Sequence, residues 1–198
     1  MSDGKKLRML LQQMQLHGMA VPSERINIAI PNARQVLGEY LEYFLSLEQK
    51  RLVWLPEYDR VAGWLADNEG KGVFLYGDCG RGKSLLVKYV IPAILLEYHN
   101  LVVKSYDTQQ MNRKLDEVLR MRLIGLDDVG TEDVLNDYGN RRQAFAEVVD
   151  AAEKYGKLLI VSSNLGKKEL LEYYNIRVYE RVIATTKRIE FRGGNLRQ

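Results

Sequence analysis

Apolar residues fall into two kinds of stretch along this 198-residue chain. Some recur every three or four positions, the spacing of one helix face; others form unbroken runs of four or five, suited to strands buried on both sides. Leu7, Leu10, Leu11 and Met14 predict a helix over 4–18, ended by Gly18 and the loop around Pro22. Its stripe must be covered, by the chain's own core in the commoner arrangement or else by a partner. Leu37, Tyr40, Leu41, Phe44 and Leu45 predict a second helix after Pro31-Asn32, and Tyr58, Val61, Ala62 and Leu65 a third after Pro56.

From there strands and helices alternate. Val73 to Tyr76 reads as a strand, and 84–98 as a helix that Pro92 must kink or split, because proline has no amide hydrogen and crowds the preceding turn. Strand 101–105, helix 109–119, strand 123–128, helix 141–155 and strand 158–162 follow, the last suited to the centre of a sheet. Helices at about 167–174 and 178–183 lead to a final strand at 188–191. Such βαβ units imply an α/β fold, a parallel sheet with helices on both faces, whose ligand lies beyond the carboxyl ends of the strands. Gly77, Asp127, Asp128 and Asn164 all emerge at that end.

The turn after the first of these strands carries the chemistry. Gly77-Asp78-Cys79-Gly80-Arg81-Gly82-Lys83-Ser84 fits the phosphate-binding pattern G-x-x-x-x-G-K-[ST] at every fixed position, between a strand and a helix as that pattern requires. There the backbone wraps an anion at a helix N-terminus, Lys83 contacts the β- and γ-phosphates, and the Ser84 hydroxyl is a magnesium ligand. Asp127, closing an apolar strand, would hold the same ion; Asp128 would orient or deprotonate an attacking water. Asn164, after the run 158–162, can hydrogen-bond both a γ-phosphate and that water without adding negative charge. Arg177 and Arg181 share one helix face, and arginine stabilises a transferring phosphoryl group, from a neighbouring subunit as well as from its own.

Composition narrows the rest. With 46% hydrophobic residues the chain can bury one substantial core; a single cysteine and two histidines exclude a disulfide framework and a clustered zinc site. Lys5, Lys6 and Arg8 precede an apolar stretch that Gln12, Gln13 and Gln15 interrupt, so neither a signal peptide nor a membrane span is expected there, and the expected location is cytoplasmic. A net charge of +3 does not by itself declare a nucleic-acid binder, although 165–198 carries eight Lys or Arg against four Glu. No Asn-Lys-x-Asp sequence is present to read guanine.

The phosphate loop, Asp127-Asp128-Val129-Gly130, Val161-Ser162-Ser163-Asn164-Leu165 and Arg177-Val178-Tyr179-Glu180-Arg181, in this order, make 70–198 resemble the DnaC/IstB group of AAA+ ATPases. Leu16-His17-Gly18-Met19-Ala20 also looks like a stretch near the N-terminus of the transposition helpers in that group. The resemblance implies a P-loop NTPase core with a five-stranded parallel sheet and a minimal C-terminal lid over 51–198, preceded by a short helical docking segment over 1–50. It implies that ATP and Mg²⁺ are the cofactors, that Asp127 and Asp128 form the Walker B pair, that Asn164 is sensor 1, and that Arg181 is a finger acting in trans. It further implies that Arg197 contacts nucleotide in cis.

The implied activity is slow, assembly-dependent ATP hydrolysis by a switch that self-associates with ATP bound and loads or remodels a replicative helicase on DNA. The alternative is an IstB-like helper of a DNA transposase. The segment between residues 105 and 123 is expected to hold one helix, where helicase loaders have room for two, which leaves single-stranded and duplex DNA both open. A small-molecule kinase or a nucleotide-binding adaptor would share the phosphate loop, but Asp127, Asp128 and Asn164 suit attack by water better than transfer to an alcohol.

Overall fold

The structure is a computed structural model and describes residues 3–131, 135–137 and 140–196. Three helices come first: α1 (Asp3–Leu16), α2 (Ala33–Leu47) and α3 (Pro56–Ala66), the last begun by a proline whose missing N–H is not needed in a first turn. Strand β1 (Gly72–Gly77) runs into the phosphate loop and helix α4 (Lys83–Leu85). A π-helical turn, Leu86–Val90, joins α4 to α5 (Ile91–His99). Then come β2 (Lys104–Asp107), α6 (Thr108–Arg113), α7 (Leu115–Arg120), β3 (Leu123–Val129), the hairpin β4 (Leu135–Asp137) and β5 (Asn140–Arg142), and α8 (Ala144–Tyr155). β6 (Leu158–Ser163), α9 (Lys167–Tyr174), α10 (Ile176–Thr185) and β7 (Thr186–Phe191) complete the order.

The main sheet is five-stranded and all parallel, in the order β2-β3-β6-β1-β7, with the phosphate-loop strand between β6 and β7. Side chains alternate between its two faces. Val73, Leu75, Leu158, Ile160 and Phe191 pack with α2, α3, the π turn and α5. Phe74, Leu126, Leu159 and Val161 pack with α6, α7, α8 and α10. This is the P-loop α/β architecture that the alternating pattern predicts. Val36, Leu37 and Leu41 of α2 belong to the same core as β1.

Several elements depart from the sequence reading. β2 starts three residues later than expected because the end of α5 claims Leu101: its amide bonds the Leu95 carbonyl around Asn100, which is left-handed at φ 53°. The segment between β2 and β3 holds two short helices rather than one. α6 begins with a reciprocal cap, Asp107 Oδ1 accepting from the Gln110 amide at 2.7 Å while Gln110 Oε1 accepts from the Asp107 amide, and it breaks at Lys114. The helix expected from residue 141 starts at Ala144, with Asn140–Arg142 paired in the hairpin instead. Leu7, Leu10 and Leu11 of α1 are 59%, 50% and 42% exposed, so the stripe does not pack on its own domain.

Candidate nucleotide site

β1, β3 and β6 end side by side, and their carboxyl ends build the site. Gly77, Gly80 and Gly82 turn the loop with φ of 110°, 76° and 86°, which side chains rarely adopt. A Cβ at Gly82 would stand 2.6 Å from the Tyr58 hydroxyl, and one at Gly80 would meet Asn195, so the turn is closed by contact as well as by dihedral angle. Lys83 is buried, and its ammonium donates to the carbonyls of Gly77 at 2.9 Å and Asp78 at 2.7 Å, lying along the inside of the turn. Cys79 is exposed at the crest.

Three loop residues are held from outside. Arg81 is buried and extends to Glu57 on α3, Nη2 lying 3.3 Å from each carboxylate oxygen, while Nη1 donates to the Gly194 carbonyl at 3.2 Å. Burial pushes the Glu57 carboxyl up, but the Arg192 amide and the Arg81 guanidinium outweigh it and hold the group below its ordinary range. Asp78 accepts the Gly193 amide at 2.7 Å, and the Leu196 amide donates to the Gly80 carbonyl at 3.0 Å. The segment after β7 is thereby laid along the phosphate loop. Arg197 lies outside the described residues.

β3 ends in a bulge. Its register with β6 shifts between Leu126 and Val129, and Asp128 takes the left-handed conformation at φ 61°. The bulge separates the two carboxylates. Asp127 stays buried, its Oδ1 accepting from the Ser162 hydroxyl and its Oδ2 ion-paired with Lys88 Nζ at 2.8 Å, and the Ser84 hydroxyl is a third polar group that favours its charged form. Burial pushes its carboxyl up; these three donors outweigh that and hold it below its ordinary value of 3.8. Asp128 projects toward the loop after β6, where Asn164 Nδ2 donates to its Oδ1. Ser162 serves both, since its hydroxyl also accepts the Asp128 amide at 2.9 Å.

The expected residues Lys83, Ser84, Asp127, Asp128 and Asn164 therefore converge, and Arg181 does not join them. It is ion-paired within the chain to Asp150 and, at 2.8 Å, to Glu153 on α8, whereas Arg177, one turn earlier on α10, is exposed. Lys88, Ser162 and Glu57 are the participants that the sequence reading missed. Lys88 could have been found, because it stands four residues after Ser84 and so on the same helix face.

The oxygen donors Ser84 and Asp127, the carboxylate already paired with one cation in Lys88, suit a hard divalent ion such as magnesium. A cavity of about 710 Å³ opens beside the loop, walled by Lys50, Val53, Tyr58, Leu85, Tyr89 and Leu196 among others.

A five-stranded parallel sheet in this order, with a phosphate loop after β1 and a paired acid and amide after β3 and β6, is a P-loop α/β arrangement. Solved structures carry the likeness further. The chain matches the DnaC helicase loader with a TM-score of 0.58 at 17% identity, over 71% of this chain and 93% of that one. It matches DnaI with a TM-score of 0.51 at 24% identity, over 64% and 73%. AMPPCP-bound DnaA from Aquifex aeolicus matches at 0.52 and 16%, over 73% of this chain and 49% of that one. The fold is thus DnaC-like. No protein-family model matches the chain, and no curated protein matches it significantly.

Proposed function

We propose that the protein is an ATP-binding, ATP-hydrolysing switch that acts on a replicative helicase. The observation that carries this is that the phosphate loop with Lys83 and Ser84, the buried Asp127 and the hydrogen-bonded pair Asp128–Asn164 come together at the carboxyl ends of β1, β3 and β6. Bound nucleotide with Mg²⁺ would supply the phosphoryl group and the Lewis acid. The chain's residues do the rest. Lys83 exchanges the Gly77 and Asp78 carbonyls for phosphate oxygens, Ser84 and Asp127 hold the metal, and the cavity beside Tyr58 and Leu85 receives the base.

Asp128, oriented by Asn164, holds and deprotonates water. An aspartate is one methylene shorter than glutamate, which fits slow, regulatory turnover. Arg181 completes a neighbour's site in an ATP-dependent assembly once it leaves Asp150 and Glu153; Arg177, on the same face, needs no such release. The expected setting is the cytoplasm, and among the described residues no helix is long and apolar enough to cross a membrane.

The helicase reading is supported by the likeness of fold to the DnaC helicase loader, at a single-digit share of that chain left uncovered. It is tested by fluorescence anisotropy of labelled single-stranded and duplex oligonucleotides with ADP or a non-hydrolysable ATP analogue. Single-strand binding that needs the ATP analogue is the expected result. Preference for duplex would replace the helicase loader by a transposition helper.

A further inference from the structure

Lys88 occupies none of the fixed positions of the phosphate-loop pattern, yet it binds the carboxylate assigned to the metal. Its Nζ lies 2.8 Å from Asp127 Oδ2, and the Ser162 hydroxyl donates to the other carboxylate oxygen. Asp127 is 5% exposed; a carboxylate so buried with no cation beside it is strongly disfavoured. The Lys88 side chain keeps 36% of its surface exposed and lines the cavity beside the loop. It therefore stands between a buried anion and open space into which it can withdraw.

The backbone puts it there. Lys88 is the middle residue of the π turn, in which the Ile91 amide bonds the Leu86 carbonyl five residues back. Pro92 follows directly, has no amide to offer the Lys88 carbonyl, and crowds that carbonyl in an ordinary helix. A wider turn relieves the crowding, as such turns do at functional sites.

We infer that Lys88 is a built-in cation that holds the metal position on Asp127 when no metal is present, and that Mg²⁺ has to displace it. This rests on the nucleotide-site reading above. Displacement makes metal binding a competition, so Lys88 sets the Mg²⁺ concentration at which the site changes state. With Lys88 paired to it, Asp127 needs no metal ion to offset its buried charge.

The test is a titration of Mg²⁺ into protein with mant-ADP, read by fluorescence, for the native chain, Lys88→Met and Lys88→Gln. Without the competing ammonium, half-saturating Mg²⁺ falls by roughly tenfold, the effect of a single charge interaction of ordinary strength. Lys88→Gln retains a donor for Asp127 and keeps the test valid if Lys88→Met fails to fold. An unchanged or higher Mg²⁺ requirement in the folded variant, with mant-ADP still bound, overturns the inference and leaves the nucleotide site standing. Failure of the native chain to bind mant-ADP with or without Mg²⁺ overturns both.

Discussion

Asn164 donates its side-chain amide to Oδ1 of Asp128, so the residue after β6 and the carboxylate at the bulged end of β3 form one unit. An amide and a carboxylate in contact can hold a water between a base and a phosphate without a second negative charge. Asp128→Asn and Asn164→Ala should each slow ATP hydrolysis by roughly 10²-fold while leaving nucleotide affinity nearly unchanged. Steady-state phosphate release beside mant-ATP binding checks this, and a parallel loss of affinity would place the pair in binding rather than turnover.

Arg81 and Glu57 form a buried pair, their side chains 8% and 7% exposed. Removing one partner strands the other. Arg81→Ala should destabilise the fold by about 3–5 kcal/mol, the usual consequence of an uncompensated buried charge. Denaturant unfolding measures it. Loss of the Gly194 contact should also free 192–196 from the phosphate loop, read as faster amide exchange at Gly193 and Leu196.

Asp127 has a folded pKa below its ordinary value of 3.8. The unfolded chain therefore binds its proton first as pH falls, so its stabilisation is complete well above pH 3.8 and is lost progressively as pH falls through the lower folded pKa. Asp127→Asn should be less stable than the native chain at neutral pH and show a shallower loss across that acid window. Thermal melts from pH 6 to about pH 2 test the sign. An unchanged slope would mean the carboxylate gains nothing from Lys88, Ser162 and Ser84.

Arg181 is bonded to two carboxylates on α8 that are 46% and 42% exposed, so Arg181→Ala should cost no more than about 1 kcal/mol of stability. A larger effect should appear only in the assembled protein, as a roughly 10³-fold or greater loss of ATP hydrolysis with nucleotide binding retained. If Arg177→Ala shows that loss and Arg181→Ala does not, the finger is one turn earlier on α10.

The sheet was legible because its central strands are apolar runs with turn chemistry between them: Val73 to Tyr76, Leu123 to Leu126 and Leu158 to Ser162 need no tertiary knowledge. The phosphate loop was legible because every fixed position carries a steric or chemical demand that few residues meet. Other features depend on partners distant in sequence. Glu57 and Arg81 are 24 positions apart, and each alone reads as a solvated charge. Lys88 is marked by its spacing after Ser84, but its partner Asp127 lies at the end of β3, 39 positions on in the chain. The hairpin residues Leu135–Asp137 and Asn140–Arg142 show no apolar alternation, so nothing local announced a strand. For α1 the periodicity gave a face without saying what covers it, and the face proved exposed.

Every role proposed for the site requires that Gly77–Ser84 bind nucleotide phosphates through Lys83. The decisive measurement is equilibrium binding of mant-ATP in Mg²⁺ by the native chain and by Lys83→Ala. Saturable binding by the native protein, displaced by unlabelled ATP and lost in a folded Lys83→Ala variant, is the predicted result. Equal binding by the two proteins, or none by the native one, would contradict it.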